Sequence, residues 1–361
     1  MDPLDGSIGR QTELLARMDS RTPDLRDLLG KRVRVLHTKR RLSIQKRIVE
    51  FEQQTYVLHF FLRKSTKDRF EAAVRKLQQS GISAQHVCAG TGSRREALRA
   101  GGHWLALSFL PGTPLSRKAH PKTLAALGGT LAKLNAIEGA ASGALFERRQ
   151  PVLPHEAYLS FAGAAHTPEE RRWIEESLAR MRRLPANQLT HGDLYGSNII
   201  EQDHHAIGLI DYELMTYDVS GIELAATLMR PFCRQGAQRR SLLEGYLAAC
   251  PAALADIWRH HAPDFVFAAA TRLLAARQRR IRHLTIRDRL LAAGECVLPS
   301  SMRKRVKDRR TAIAKNIASA RENEAYYLHI ARTMVGLCRA EPAIDPVRLL
   351  EHCDKLFRKP G

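Results

Sequence analysis

Residues 188–213 constrain the fold of this 361-residue chain more than any other stretch. Two short apolar runs, one closing on Ile199-Ile200 and the other on Leu209-Ile210, flank the polar turn Gln202-Asp203-His204-His205. Short aliphatic runs about a turn predict a hairpin. Just ahead of it, His191-Gly192-Asp193-Leu194-Tyr195-Gly196-Ser197-Asn198 reads as a loop, and Asp211 closes the second run. A hairpin folds the chain back on itself, so it can set Asp211 beside Asn198, thirteen residues earlier. Asp193 precedes Asn198 by five residues in the same loop. Two acids and an amide are thereby expected to converge.

The surrounding chain falls into two parts. From about 31 to 63 the pattern is of strands: Arg32 to Leu36, Ile44 to Phe51 and Tyr56 to Leu62, with a polar turn at Thr38-Lys39-Arg40-Arg41. In the third run Tyr56, Leu58, Phe60 and Leu62 share one face, and Val57, His59, Phe61 and Arg63 the other. Residues 66–79 have helical spacing (Phe70, Val74, Leu77) and stop at Gly81. Trp104 to Leu110 reads as a strand closed by Pro111-Gly112. Beyond Pro114 helices dominate. Leu124, Leu127, Leu131 and Leu134 form an apolar stripe beside Gly128-Gly129, a pair suited to close helix packing. Thr167-Pro168-Glu169-Glu170 is a strong helix start, with a capping Thr, Pro at the first position and acids in the first turn. The expected organisation is an N-terminal arm over 1–30, a β-rich lobe over 31–112 and a helical lobe over 113–361.

Charge narrows the partners. The chain has 58 Lys+Arg against 37 Asp+Glu, a net of +21, which favours anionic ligands and disfavours cationic ones. Residues 272–310 alone carry thirteen basic against three acidic side chains. No apolar run is long enough to span a bilayer, and the acidic start Met1-Asp2-Pro3-Leu4-Asp5 does not read as a secretory signal. Six cysteines without a C-x-x-C pair suit a reducing compartment. The expected location is the cytoplasm, with peripheral contact at the inner face of an anionic membrane. Aromatics at 6% and the lack of a reader motif give no prediction of specific nucleic-acid binding.

Phosphoryl transfer needs a carboxylate to orient an attacking hydroxyl and hard oxygen ligands to hold Mg²⁺ against nucleotide phosphates. Asp193, Asn198 and Asp211 are the residue types and spacing for that task. His-Gly-Asp-Leu-x-x-x-Asn-Ile at 191–199, followed by Ile210-Asp211-Tyr212-Glu213, resembles the aminoglycoside phosphotransferase and choline kinase branch of the protein kinase-like fold. Leu127-Gly128-Gly129-Thr130-Leu131-Ala132-Lys133-Leu134-Asn135 and the strand from Trp104 to Gly112 extend the likeness over roughly residues 30–250. The resemblance implies a two-lobed α/β fold and transfer of the ATP γ-phosphate, with ATP and Mg²⁺ as cofactors. It implies Asp193 as catalytic base, Asn198 and Asp211 as metal ligands, and the backbone of Ser108, Phe109 and Leu110 as the adenine contact.

Three departures accompany it. The strand over 56–63 should present a Lys to the phosphates, paired with a helix Glu. His59 holds the slot, with Arg63 on the same face and Glu71 as the helix acid, so either Arg63 substitutes or nucleotide affinity falls. The first turn lacks glycine, leaving Lys39 and Arg40 to hold phosphates with side chains. Glu223 stands where the family more often has an Asp bracing the catalytic loop, which His191 also supports from within. The acceptor is expected to be a hydroxyl-bearing small molecule or glycan, anionic or neutral. The alternatives are a cell-envelope sugar kinase, such as a lipopolysaccharide-core heptose kinase, and a non-catalytic nucleotide-binding protein that keeps the fold.

Overall fold

The computed structural model describes residues 34–40, 44–51, 53–61, 63–91, 103–139, 158, 167–295, 300–340 and 345–357. The expected arm over 1–30 lies outside them.

Period-two alternation builds the first layer. Strands β1 (Arg34–Arg40), β2 (Ile44–Phe51), β3 (Gln54–Phe61), β5 (Val87–Gly90) and β6 (His103–Ser108) form an antiparallel sheet in the order β1-β2-β3-β6-β5. Its two faces feed different clusters. Tyr56, Leu58, Trp104 and Ala106 pack with Val49 on one side. Phe61, Leu105 and Leu107 pack on the other, against helix α1 (Lys64–Gln79), whose Phe70, Val74 and Leu77 recur at helical spacing. Gly81 follows that helix at φ +66°, the left-handed stop that a side chain would resist.

Two boundaries differ from the sequence expectation. Lys39 and Arg40 belong to β1 and not to a turn, because the ladder to β2 continues through Lys39↔Lys46 and Arg40↔Gln45 and satisfies their backbone groups. The strand expected to reach Leu110 ends at Ser108. The two-residue strand β4 (Ser83–Ala84), which no pattern announced, pairs in parallel with β10 (Ile207–Leu209). With β9 (Ile199–Glu201) and β7 (Thr113–Pro114) it completes a small sheet that takes strands from both sides of residue 112.

The second part is helical. α2 (Pro121–Asn135) buries Leu124, Leu127, Leu131 and Leu134 against α5 (Gly236–Ala249). A Cβ on Gly128 would lie 2.1 Å from the Leu242 carbonyl oxygen, and one on Gly245 2.1 Å from that of Ala125. The two helices therefore meet backbone to backbone, and only glycine permits it. α3 (Pro168–Arg183) opens on a capping box, Thr167 accepting from the Glu170 amide while Glu170 accepts from that of Thr167. Strands β8 (Gln188–Thr190) and β11 (Thr216–Asp218) pair antiparallel and lead into α4 (Ser220–Leu228). α6 (Ala252–Glu295), 44 residues and about 66 Å long, doubles back as α7 (Ser300–Ala340), pinned by Arg310 Nε to Asp288 at 3.0 Å. The short α8 (Pro346–Phe357) follows. No helix among the described residues is long and apolar enough to cross a membrane.

Candidate active site

The loop between β8 and β9 is held from beneath. His191 is fully buried; its Nε2 donates to the Ile210 carbonyl at 3.0 Å and its Nδ1 accepts the Asp193 amide at 3.3 Å. Burial lowers its pKa, the charges of Asp193 and Asp211 opposing only in part, so the ring is a neutral strut between the loop and the strand that delivers Asp211. Gly192 has φ +78°, and a Cβ there would lie 2.3 Å from the Leu214 carbonyl oxygen. This position is closed to side chains. Glu223, from α4, accepts the amides of His191 at 3.1 Å and Gly192 at 2.7 Å.

Above this base the three expected residues converge. Asn198 Nδ2 donates to the Asp193 carbonyl at 2.9 Å and to its carboxylate at 3.2 Å. The β9–β10 hairpin then brings the Ile210 amide to the Asn198 carbonyl at 3.0 Å, one residue before Asp211. Asp211 takes the left-handed conformation (φ 69°, ψ 61°), a rare one for a residue with a side chain. Local strain of this kind gathers where a side chain must be aimed.

The cation against Asp211 comes from an unexpected strand. Lys46, on β2, places Nζ 2.6 Å from Asp211 Oδ1 and 2.7 Å from Glu213 Oε1. Lys46 is the cross-strand partner of His59, so both stand on one face of the sheet. His59 is 2% exposed, its ring 4.7 Å from that of Phe70, and its Nδ1 has no hydrogen-bond partner among the described residues. Burial, then the charge of Lys46, drives its pKa down to about 3 against a weaker pull from Asp211. A neutral ring in an aromatic cluster is not a phosphate anchor. Arg63 is exposed at the N-cap of α1, and Glu71 pairs within its own helix, with Lys67 at 2.9 Å and Arg75 at 2.7 Å. Because β3 ends at Phe61 and α1 begins at Lys64, Arg63 stands at the helix N-cap and not on the strand face it was expected to share with His59. At the connection after β6, the Ser108 carbonyl accepts Gln85 Nε2 and the Phe109 amide donates to the Thr55 carbonyl. The Ser108 amide also donates, to the His86 carbonyl, so both backbone groups of Ser108 are engaged within the protein.

Asp193 also lines a cavity of about 650 Å³ on the helical side, walled by Tyr195, Arg230, Arg272 and Arg279. Nothing in the sequence pattern singles out Tyr195 or Arg230, and Arg272 and Arg279 fall within the basic stretch over 272–310. Glu223 closes the floor. Burial pushes its carboxyl up to about 7, the two backbone amides and Arg272 resisting and Asp218 adding to the rise. An acid whose folded pKa is raised binds more protons folded than unfolded between about 4.5 and 7. Its contribution therefore weakens as pH rises through that window, by on the order of 3 kcal/mol. His59 and His191, lowered on folding, act with the opposite sign. The difference in unfolding free energy between wild type and Glu223→Gln isolates the acid, and is expected to fall with rising pH from 4.5 to 7. A difference that is flat with pH would rule out this account.

The family described as the phosphotransferase enzyme family matches residues 43–284. A crystal structure from Ralstonia eutropha, provisionally named as that of an aminoglycoside phosphotransferase, is 11% identical, covering 90% of this chain and 97% of its own at a TM-score of 0.50. That likeness is one of fold. An ethanolamine kinase from Plasmodium vivax aligns at 14% identity, 71% and 77% coverage and a TM-score of 0.48. A macrolide 2′-phosphotransferase from Brachybacterium faecium aligns at 20% identity, 66% and 84% coverage and a TM-score of 0.46. No curated protein sequence matches.

Proposed function

Since this chain belongs to the phosphotransferase enzyme family, we propose that it transfers the γ-phosphate of ATP, with Mg²⁺, to a hydroxyl of a small-molecule or glycan acceptor. One observation carries the reading: Asp193 is hydrogen-bonded to Asn198, tied through Ile210 to Asp211, and opens onto the 650 Å³ cavity. In that position the Asp193 carboxylate orients the acceptor hydroxyl and takes its proton as the new oxygen–phosphorus bond forms and the bond to the ADP oxygen breaks.

The donor set fits a hard divalent ion. Asn198 and Asp211 offer oxygens on adjoining segments, and the Lys46 ammonium already rests against Asp211. Asn198 and Asp211 would hold Mg²⁺, which when bound neutralises charge on the phosphates. Lys46 adds a second positive charge on the sheet side, and the connection over Ser108, Phe109 and Leu110 is the segment assigned to the adenine. A non-catalytic role drew its support from His59 standing where a lysine was expected; a lysine one strand away removes that ground.

The test is ATP affinity by calorimetry, with and without Mg²⁺, together with label transfer from ATP into a pool of metabolites. Mg²⁺ is expected to tighten ATP binding about tenfold in wild type, and Asp211→Ala to abolish that increment. No labelled product from wild type, together with Mg²⁺-independent binding, would defeat the reading.

A further inference from the structure

Beside Asp193 the cavity is lined by Tyr195 and Arg230, and Arg277 reaches that tyrosine from outside the lining; neither arginine has a carboxylate partner among the described residues. Arg230 is 6% exposed, and its Nε and Nη1 have no hydrogen-bond partner. Its Cζ stacks 3.9 Å from the Tyr195 ring centroid. Arg277 approaches the same ring, its Cζ at 5.9 Å and its Nη2 donating to the Tyr195 hydroxyl at 3.3 Å, while its Nε is likewise buried and unpaired. The acids nearby are engaged elsewhere: Asp218 binds Arg272 at 2.8 Å and Glu223 holds the loop amides. Burying a guanidinium without a partner is costly, and a bound oxyanion offsets the cost.

We propose that Arg230 and Arg277, both against Tyr195, form an oxyanion subsite, so that the acceptor is an alcohol that also carries a phosphate or carboxylate group. The proposal rests on the phosphotransfer reading above. Guanidinium forks match the planar oxygen pairs of those groups and hold them by charge-assisted bonds. Asp193 and Tyr195 are two residues apart, with the Tyr195 amide donating to the Asp193 carbonyl at 2.9 Å. That separation spans at most about 7 Å of chain, so one small molecule can meet both. Its hydroxyl lies at Asp193 and its oxyanion at the arginines. A polycationic acceptor meets repulsion at the same wall.

Two measurements on the full chain test this. In the first, inorganic phosphate is titrated calorimetrically in the presence of Mg·ADP into wild type, Arg230→Gln, Arg230→Lys and Arg277→Gln. Wild type is expected to bind phosphate saturably. Either Gln variant should weaken binding about tenfold, the loss of one charge-assisted contact, and Arg230→Lys should recover part of it. Arg277→Gln serves alone if the buried Arg230→Gln chain does not fold. In the second, Mg·ATP turnover is compared among glucose 6-phosphate, gluconate, glucose, kanamycin, and vesicles of phosphatidylglycerol or phosphatidylcholine. An anionic acceptor is expected to give the highest kcat/KM, with its KM, and not that for ATP, raised about tenfold in Arg230→Gln. Preference for phosphatidylglycerol over the soluble anions would assign the oxyanion to a lipid headgroup. Equal phosphate affinity in wild type and both Gln variants, or higher kcat/KM for kanamycin or glucose, would overturn the subsite. Arginine-dependent phosphate binding without turnover of any acceptor would keep the subsite and instead count against phosphotransfer.

Discussion

Asp193→Asn is expected to lower the phosphoryl-transfer rate by a factor on the order of 10³ while leaving ATP affinity within about twofold of wild type. The substitution is nearly isosteric. Asn198 keeps its 2.9 Å bond to the residue 193 carbonyl, and an amide oxygen can still accept the second bond now made to the carboxylate at 3.2 Å. His191 and Glu223 grip the loop through backbone amides that the change does not touch. What disappears is a group able to take a proton, together with one negative charge directed at the acceptor hydroxyl. Single-turnover transfer measured beside equilibrium ATP binding separates the two effects. A variant that transfers phosphate at the wild-type rate would show that the proton leaves by another route, and Asp193 would lose its assignment.

The parts of this site that the chain announces are those encoded locally. A hairpin over 199–209 follows from aliphatic runs about a turn, and Asn198 and Asp211 come together because a hairpin can place its ends nowhere else. The capping box at Thr167 and the Gly128 contact are likewise short-range or stripe signals. Lys46 was not legible, because its role depends on the register of β2 against β3, and a strand pattern fixes faces without fixing which residues stand opposite. With Phe51 and Gln54 as the last pair, counting back along the two strands sets Lys46 opposite His59. Arg230 was hidden for another reason. Its neighbours Tyr195 and Arg277 lie 35 and 47 residues away in sequence, and only tertiary packing reveals that its charge is buried and unpaired.

Replacing Lys46 with methionine is expected to reduce kcat/KM for ATP about a hundredfold, the scale seen when one preorganised cationic or hydrogen-bonding group is lost from a transfer site. In the folded protein its ammonium bridges Asp211 and Glu213 at 2.6 and 2.7 Å with a side chain only 15% exposed. Methionine keeps the apolar stem, so the sheet face and its packing survive while the charge is removed. The positive charge that faces the phosphates from the sheet side is then lost, while Asp211 and Glu213 keep their carboxylates. His59→Leu should by contrast leave kcat/KM within about threefold, because a ring that is neutral at physiological pH contributes packing and no charge. The decisive comparison is the double variant Lys46→Met/His59→Lys. Positions 46 and 59 are directly opposed on one face of the sheet, with Cβ atoms about 5 Å apart in such pairs. An ammonium supplied from β3 can therefore reach toward the same carboxylates. Recovery of about tenfold over Lys46→Met would establish that the site requires a positive charge at this point whichever strand provides it. Wild-type kinetics in Lys46→Met itself would instead reduce the lysine to a surface ion pair, and the phosphates would have to be held by groups elsewhere in the cleft.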